Sequence, residues 1–244
     1  MIVSPPRNVL EAAAANPYSR ALVVAVISLF LSSCDILGFH DWNWSQRLAV
    51  TVNTPTGKKT ASSVSLVRWE KTPSFLMGLG GGGYSGKLTG EVVVLEIAPS
   101  KYLFSLFDDR YEAGTVLNVF FPRGGWGDQL TEKSLNTLEQ ASHQHSLSAN
   151  YYPNFVTFRD ITDPASVVPV SPEDFEKEFG KGTSLVSVTL SITDEEPIEI
   201  NFAQILPWWR SYQNDKQLDG SRYTDIGSSH RFANSLNSTN FKRD

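Results

Sequence analysis

The stretch QRLAVTVNTPTG, residues 46–57, decides the fold. Its apolar residues Leu48, Val50 and Val52 alternate with other residues, which predicts a strand with one buried face. The Pro-Thr-Gly that follows predicts a turn. Residues 64–69 then predict a second strand, so the domain opens with a β-hairpin.

Further along the chain, strands outnumber helices. We expect the last strand, over residues 198–202, to pair with the longest one across an acidic turn at residues 194–197. The fold class is therefore α+β, a largely antiparallel sheet with about two short helices packed on it. The other strands are predicted at residues 91–97, 102–107, 154–158 and 185–192, and the helices at residues 128–142 and 171–180.

An uncharged apolar run occupies residues 21–33. It is too short to span a membrane, which takes about 20 apolar residues, but it suits the core of a signal peptide, which takes about 7–15. Arg7 and Arg20 outweigh Glu11 ahead of it, so the flank is positive, as export signals require. The run therefore predicts a signal peptide over residues 1–33.

The run ends in Leu31-Ser32-Ser33-Cys34, which resembles the lipobox of bacterial lipoproteins. The resemblance implies that the Cys34 thiol receives a diacylglycerol and that cleavage before Cys34 exposes an amino terminus for acylation. Several acyl chains would make a durable anchor. Asp35 follows, and in enterobacterial lipoproteins an Asp there favours the inner membrane. An uncleaved anchor and an ordinary buried cysteine are the alternatives.

The rest of the chain divides into three parts. Residues 34–45 predict a lipid-anchored tether, whose Trp42 and Trp44 either rest at the membrane interface or cap the first strand. Residues 46–225 predict a single globular domain. Residues 226–244 are polar and rich in Ser and Asn, which predicts a partly disordered tail.

Composition excludes some classes of function. The chain is 41% hydrophobic and 19% charged, which is typical of a globular protein. Its formal net charge of −5 argues against a nucleic-acid partner. Cys34 is the only cysteine, so we expect no disulfide within the fold.

A glycine-rich loop at residues 78–86 superficially matches a nucleotide-binding motif. Residues 81–87 satisfy the first seven positions of the P-loop, but Leu88 stands where Ser or Thr should hold magnesium. A strand, not a helix, is predicted to follow, so we expect no nucleotide and interpret the segment as a hairpin loop. Ser85 lacks the following glycine of a nucleophile elbow, because residue 87 is Lys.

No metal site or cofactor is predicted. His143 and His145 lie two residues apart, whereas paired ligands on a helix lie four apart. Asp160 and Asp163 are typical of residues that accept hydrogen bonds from the main chain in turns. The acids at 194–196 are typical of a solvated hairpin turn. Two carboxylates can still meet in space as in glycosidases, so the catalytic residues stay unknown.

The candidate binding residues are Trp208, Trp209 and Arg210. Neighbouring residues on a strand face opposite sides, so we expect at most one of the two rings in the core. The other would contact a sugar, lipid or a neighbouring loop.

Residues 156–167 resemble a segment of small uncharacterised proteobacterial proteins. The resemblance continues in the same order over roughly residues 46–225 and is strongest in the second half. It implies one folded unit and brings no activity. The segments that carry it are Val156-Thr157-Phe158-Arg159-Asp160-Ile161-Thr162-Asp163-Pro164-Ala165-Ser166-Val167, Phe179-Gly180, Val188-Thr189-Leu190-Ser191-Ile192-Thr193-Asp194-Glu195, Leu206-Pro207-Trp208 and Leu218-Asp219-Gly220.

Together these features predict a lipid-anchored cell-envelope protein that faces the periplasm and acts as a non-catalytic binding or structural module. Its partners would be the membrane, through the lipid, and an envelope protein or glycan. A periplasm-facing hydrolase is the alternative. A hydrolase should gather titratable groups with shifted pKa values in a concave pocket, whereas a module should expose an apolar or aromatic patch.

Overall fold

A computed structural model describes residues 38–73, 75, 83–122, 129–213 and 216–244. Its strands are β1 (His40–Thr54), β2 (Gly57–Thr72), β3 (Gly83–Glu91), β4 (Val94–Ala98), β5 (Lys101–Ser105), β6 (Gln144–Ser146), β7 (Phe155–Phe158), β8 (Val167–Val170), β9 (Ser184–Thr193) and β10 (Lys242–Arg243). They form a six-stranded sheet, β10-β3-β2-β1-β9-β6, and a four-stranded sheet, β4-β5-β7-β8. The predicted α+β class, with mostly antiparallel sheet, is confirmed.

The described part of the chain contains six short α-helices, where the sequence predicts about two. The two predicted helices are present, and the hydroxyl of Thr131 caps the first by accepting the Ser134 N–H at 3.1 Å. The second ends at Gly180, whose φ of +107° suits glycine. The helices are α1 (Thr115–Phe120), α2 (Glu132–Glu139), α3 (Phe175–Phe179), α4 (Phe202–Ile205), α5 (Trp209–Tyr212) and α6 (Arg231–Asn234).

The predicted opening hairpin is confirmed as β1 and β2. The alternating residues Leu48, Val50 and Val52 are fully buried. On its other side β1 pairs antiparallel with β9, with Leu48 opposite Leu190 and Val50 opposite Val188. The period-2 pattern thus identifies the strand at the centre of the larger sheet.

Strand β1 begins earlier than predicted. Trp42 and Trp44 lie within it and are buried, so residues 40–45 are strand and not tether. The Trp42 indole N–H donates to the Asn136 side-chain oxygen at 2.6 Å, which joins β1 to α2. Both rings continue the alternation that places Leu48 in the core, and this explains why they turn inward.

Two other predicted strands are wrong in part. The run over residues 91–97 is divided, because the buried Val92 and Val93 carry the chain from β3 in one sheet to β4 in the other. Residues 198–202 do not pair with β9. Ile198 is 82% exposed, and Phe202 begins α4 instead.

The chain divides into a small unit, Met1–His40 with Glu70–Gly83, and a main unit, Asp41–Trp69 with Tyr84–Asp244. In the small unit Gly38 has a φ of +78°, and a Cβ added there would lie 3.7 Å from the Pro73 ring. The surfaces discussed below all belong to the main unit.

The C-terminal residues 226–244 form regular elements, and several residues from Ala233 onward are buried, so the predicted partial disorder is wrong. They contribute α6, a 3₁₀ turn at Ser238–Asn240 and β10. Phe241 is fully buried, with its ring edge-on to Phe104 at 5.8 Å and to Trp209 at 6.2 Å. Ala233 and Leu236 are buried as well, so several apolar side chains hold this polar segment on the core.

Candidate functional site

The predicted binding pair is part of the core. Trp208 and Trp209 are only 7% and 4% exposed, so the expectation that at most one is buried is wrong. The expectation assumed a strand, whereas the chain turns into α5 at Trp209, and a helical turn can direct neighbouring side chains inward.

Each indole has a specific role in packing. Trp208 donates its N–H to the Ile161 carbonyl at 3.1 Å and lies 5.4 Å from the Phe158 ring. Trp209 stacks on Phe202 at 4.6 Å with an interplanar angle of 25°. Because both rings are more than nine-tenths buried, they offer little surface to a partner.

Arg210 is exposed and lies on the rim of a cleft of about 470 Å³. In this cleft Lys242 places its Nζ 3.0 Å from the buried Glu91 carboxylate and 3.2 Å from Glu199. A second oxygen of Glu91 accepts the Ile200 N–H. The hydrogen bond to Glu91 raises the pKa of Lys242, and the cluster ties β10 to the end of β3.

A different cleft has the properties expected of a ligand site. It encloses about 600 Å³ between the end of β5, the approach to β7, β8 and α6. Its walls are largely apolar, with a few polar groups among them, which is the usual composition of small-molecule sites. The lining residues are Leu106, Asp108, Arg110, Ala149, Tyr152, Pro153, Asn154, Phe155, Pro169, Val170, Ser171, Pro172, Glu173, Phe232, Ser235, Leu236 and Asn240.

Asp108 is the distinctive polar group of this cleft, which we call the Asp108 cleft. Burial raises the pKa of its carboxyl, although hydrogen bonds from the Asn154 amide at 2.9 Å and from the Arg110 N–H at 3.0 Å act in the opposite direction. The nearby charge of Asp109 raises the pKa further. A hydrogen bond from the Tyr111 main chain also lowers the pKa. A carboxylate has about four acceptor sites, so these three hydrogen bonds leave capacity for a ligand donor.

Asp108 was missed at the sequence level. The only local signal is the pair of acids that follows the predicted strand over residues 102–107. Pairs of acids usually mark a solvated loop, and Asn154 and Phe232, which share the cleft, are far away in sequence. Only the folded chain brings them together.

The other sequence candidates do not form a site in the described ranges. Asp163 accepts the Ala165 N–H at 2.9 Å and Asp160 accepts the Thr162 N–H at 2.9 Å, so turn chemistry explains both carboxylates. His145 lies in β6 against the Phe120 ring at 4.3 Å. Within the described residues no three His, Cys, Asp or Glu side chains could hold a metal ion.

The glycine loop is described only from residue 83 onward. Gly83 and Gly86, which the sequence places in the loop, lie in β3 together with Leu88, so the predicted loop is wrong for residues 83–86. The chain after the loop is strand and not helix, as expected. Residues 78–82 and Cys34 lie outside the described residues. No helix within the described ranges is long and apolar enough to cross a membrane.

Comparison with protein-family models, curated proteins and solved structures finds no significant match to this chain. The resemblance of residues 156–167 to uncharacterised proteobacterial proteins therefore stays a prediction, as does the lipobox.

Proposed function

We propose that the protein is a lipid-anchored component of the bacterial cell envelope that binds a ligand in the Asp108 cleft without transforming it. The anchor rests on the apolar run over residues 21–33 and on Cys34 at its end. The binding activity rests on the cleft, whose apolar walls surround a carboxyl with hydrogen-bonding capacity to spare.

The anchor would keep the fold close to the membrane. Strand β1 begins at His40, so only residues 35–39 separate it from Cys34. A chain of this length spans at most about 20 Å when fully extended. A lipid on Cys34 would therefore hold the start of the fold within reach of the headgroups.

The lipid is tested by replacing Cys34. In a bacterial host, the Cys34→Ala variant should lose labelling by radioactive palmitate and leave the membrane fraction, because the thiol is the attachment atom. Ser32→Ala is the matched control, since a small residue remains, and it should keep both label and location. Labelling that survives Cys34→Ala contradicts the anchor.

Asp35→Ser then tests retention at the inner membrane. The location of the protein should shift toward the outer membrane.

The ligand we propose is an envelope glycan or a segment of an envelope protein. Tyr152 and Phe232 offer aromatic surface at the cleft, and Asp108 offers acceptors for hydroxyl, amide or ammonium groups. The net charge of −5 makes nucleic acid or a nucleotide a poor fit.

Soluble fragments of cell-wall glycan are the first probe. Asp108→Ala should weaken their binding by about tenfold, because a hydrogen bond to a charged group contributes about 1.5–3 kcal/mol. Asp109→Ala is the matched control, since this neighbouring acid is exposed and does not line the cleft. Calorimetry measures the affinity of both variants for the fragments. If the two variants bind equally well, the cleft does not bind glycans through Asp108. A segment of an envelope protein is then tested in the same way.

A hydrolase is the second candidate, because Glu173 lines the same cleft as Asp108, as expected of a catalytic pocket. We prefer binding because Glu173 is exposed, so Asp108 is the only one of these two carboxyls that is partly buried in the cleft. A carboxyl with a raised pKa could act as a general acid, and a second carboxylate could act as base or nucleophile. Mass spectrometry of the fragments distinguishes the two functions. Intact fragments after long incubation support binding, whereas cleavage that Asp108→Asn abolishes supports a hydrolase.

A further inference from the structure

Asp108 is a half-buried acid that has no cationic partner within the described part of the chain. Its carboxylate accepts hydrogen bonds from the Asn154 amide at 2.9 Å and from the main-chain N–H of Arg110 at 3.0 Å, and both donors are neutral. No lysine or arginine side chain is among the groups that shift the pKa of Asp108. Burial therefore disfavours the ionised form, and no cation of the protein compensates for it.

The charged side chains of the lining favour a ligand with a positive charge. Among the described residues that line the cleft, Asp108 and Glu173 are acids and Arg110 is the one base. Asp109 lies next to the cleft, and its negative charge acts on Asp108. Glu173, Asp109 and Arg110 are exposed, so salt screens their charges more than that of Asp108. Asp108 is therefore the group that a cation in the cleft would contact.

The walls beside Asp108 favour an alkyl chain over a sugar ring. Four apolar side chains of the lining are buried, namely Leu106, Phe155, Val170 and Leu236. Sugar hydroxyl groups that lose water against such side chains without gaining a hydrogen bond raise the free energy of the complex. Methylene groups lower it when they leave water. The walls therefore select a ligand whose charged end is carried by an aliphatic chain.

Two aromatic rings of the lining suit an ammonium group as the charged end. Tyr152 is half-buried and Phe232 is 36% exposed, so part of each ring is accessible to a ligand. The face of an aromatic ring attracts an ammonium group. The cleft volume of about 600 Å³ lies within the range of small-molecule sites, about 300–1,000 Å³, so a chain of several methylene groups fits.

We propose that the Asp108 cleft binds an alkylammonium group, whose ammonium contacts the Asp108 carboxylate and whose alkyl chain packs on the apolar walls. This inference rests on the binding function proposed above and narrows its ligand to one chemistry. A lysine side chain of an envelope protein carries such a group, and so does a free aliphatic diamine. A neutral ligand would fill the cleft and still leave Asp108 without a counter-charge.

Two pairs of probes differ in whether the alkyl chain ends in an ammonium group. Acetyl-lysine methylamide is compared with acetyl-norleucine methylamide, and 1,5-diaminopentane with 1,5-pentanediol, each added to the full-length protein in a nonionic detergent. NMR follows the side-chain amide of Asn154, which donates to the same carboxylate. Each charged probe should bind about tenfold more tightly than its neutral partner, because hydrogen bonds between ionised groups are the stronger ones. The charged probe with the higher affinity distinguishes a lysine side chain from a free diamine.

The outcomes separate this inference from the binding function. Equal affinities within both pairs overturn the inference and leave the cleft a binding site without selection for charge. If none of the probes shifts the Asn154 signal, the inference is overturned as well, and the titration with glycan fragments decides separately whether the cleft binds a ligand.

A pair of variants tests the contact with Asp108. Asp108→Asn should remove the roughly tenfold advantage of the charged probes and leave the affinity for the neutral probes unchanged, which shows that the cleft is intact. Asp109→Asn is the matched control and should keep the advantage, since Asp109 is exposed and does not line the cleft. An Asp108→Asn variant that keeps the full advantage overturns the proposal. The comparison of charged with neutral probes in the unaltered protein stands even where this variant fails to fold.

Discussion

Strand β1 and the C-terminal segment, residues 216–244, bury apolar side chains by different means. In β1 every second residue is buried, and ladder hydrogen bonds to β2 and β9 hold both of its edges. The C-terminal segment has only a single bridge, Gln217 to Asn237, and the two-residue β10. It nevertheless buries Leu218, Ala233, Leu236 and Phe241.

Side-chain hydrogen bonds take the place of the ladder in the C-terminal segment. The buried Asn234 donates to the Ser221 hydroxyl at 2.6 Å and accepts the Asp225 N–H at 2.5 Å. Asn237 and Asn240 form a capping box, and Asn240 also donates to the Phe107 carbonyl at 3.0 Å. Ser and Asn are therefore the residues that order this segment, because they pair with main-chain groups that lack a strand partner.

The largest loss of stability is expected when a buried aromatic ring is removed from either region, and its size shows whether both regions belong to the core. Phe241→Ala and Trp42→Ala should each lower the free energy of unfolding by about 3–5 kcal/mol, because each removes a fully buried ring. Denaturant unfolding of the full-length protein measures both.

Ile226→Ala is the control for Phe241→Ala, since Ile226 is in the same segment but 81% exposed. It should change stability by less than about 0.5 kcal/mol. If Phe241→Ala costs no more than the control, the C-terminal segment is not packed as described.

A smaller effect tests the hydrogen bonds that distinguish the regions. Asn234→Ala should cost about 1–3 kcal/mol, because it leaves buried partners unsatisfied. Thr51→Val in β1 removes only an exposed hydroxyl contact with Thr60 and should cost less than about 0.5 kcal/mol. If the two substitutions lower the free energy of unfolding equally, side-chain hydrogen bonds matter no more in the C-terminal segment than in β1.

The smallest effect concerns pH. Burial raises the pKa of Asp219, but hydrogen bonds from Ser221, Ser228 and Asn234 outweigh it and lower the value to about 2. Because the folded pKa lies below the ordinary 3.8, the ionised group stabilises the fold above pH 3.8, and this contribution is lost as pH falls from 3.8 to 2.

Melting temperatures at several pH values test this linkage. Between pH 3.8 and 2, Asp219→Asn should lose less stability than the unaltered protein, and at pH 7 it should be the less stable of the two. Asp109→Asn, an exposed acid outside the segment, serves as control. If the melting temperature of Asp219→Asn falls with pH as steeply as that of the unaltered protein, these hydrogen bonds do not have the proposed role.

Prediction from the sequence succeeds where a segment carries its own periodic or capping signal. The β1–β2 hairpin, α2, α3 and β9 are of this kind. It fails at residues 40–45, where a continuing alternation is taken for a tether, and at Trp208 and Trp209, where a strand is assumed. The Asp108 cleft has no local signal, because its walls come from distant parts of the chain.

The sequence by itself determines the central strand, the class of the fold and the motif at Cys34, because alternation, turn residues and an apolar run act over a few neighbouring positions. Only the tertiary structure decides that the C-terminal residues are ordered, that both Trp208 and Trp209 are buried and that Asp108 has a raised pKa. Burial and the hydrogen bonds that make it tolerable depend on residues far apart along the chain, and no local pattern records them.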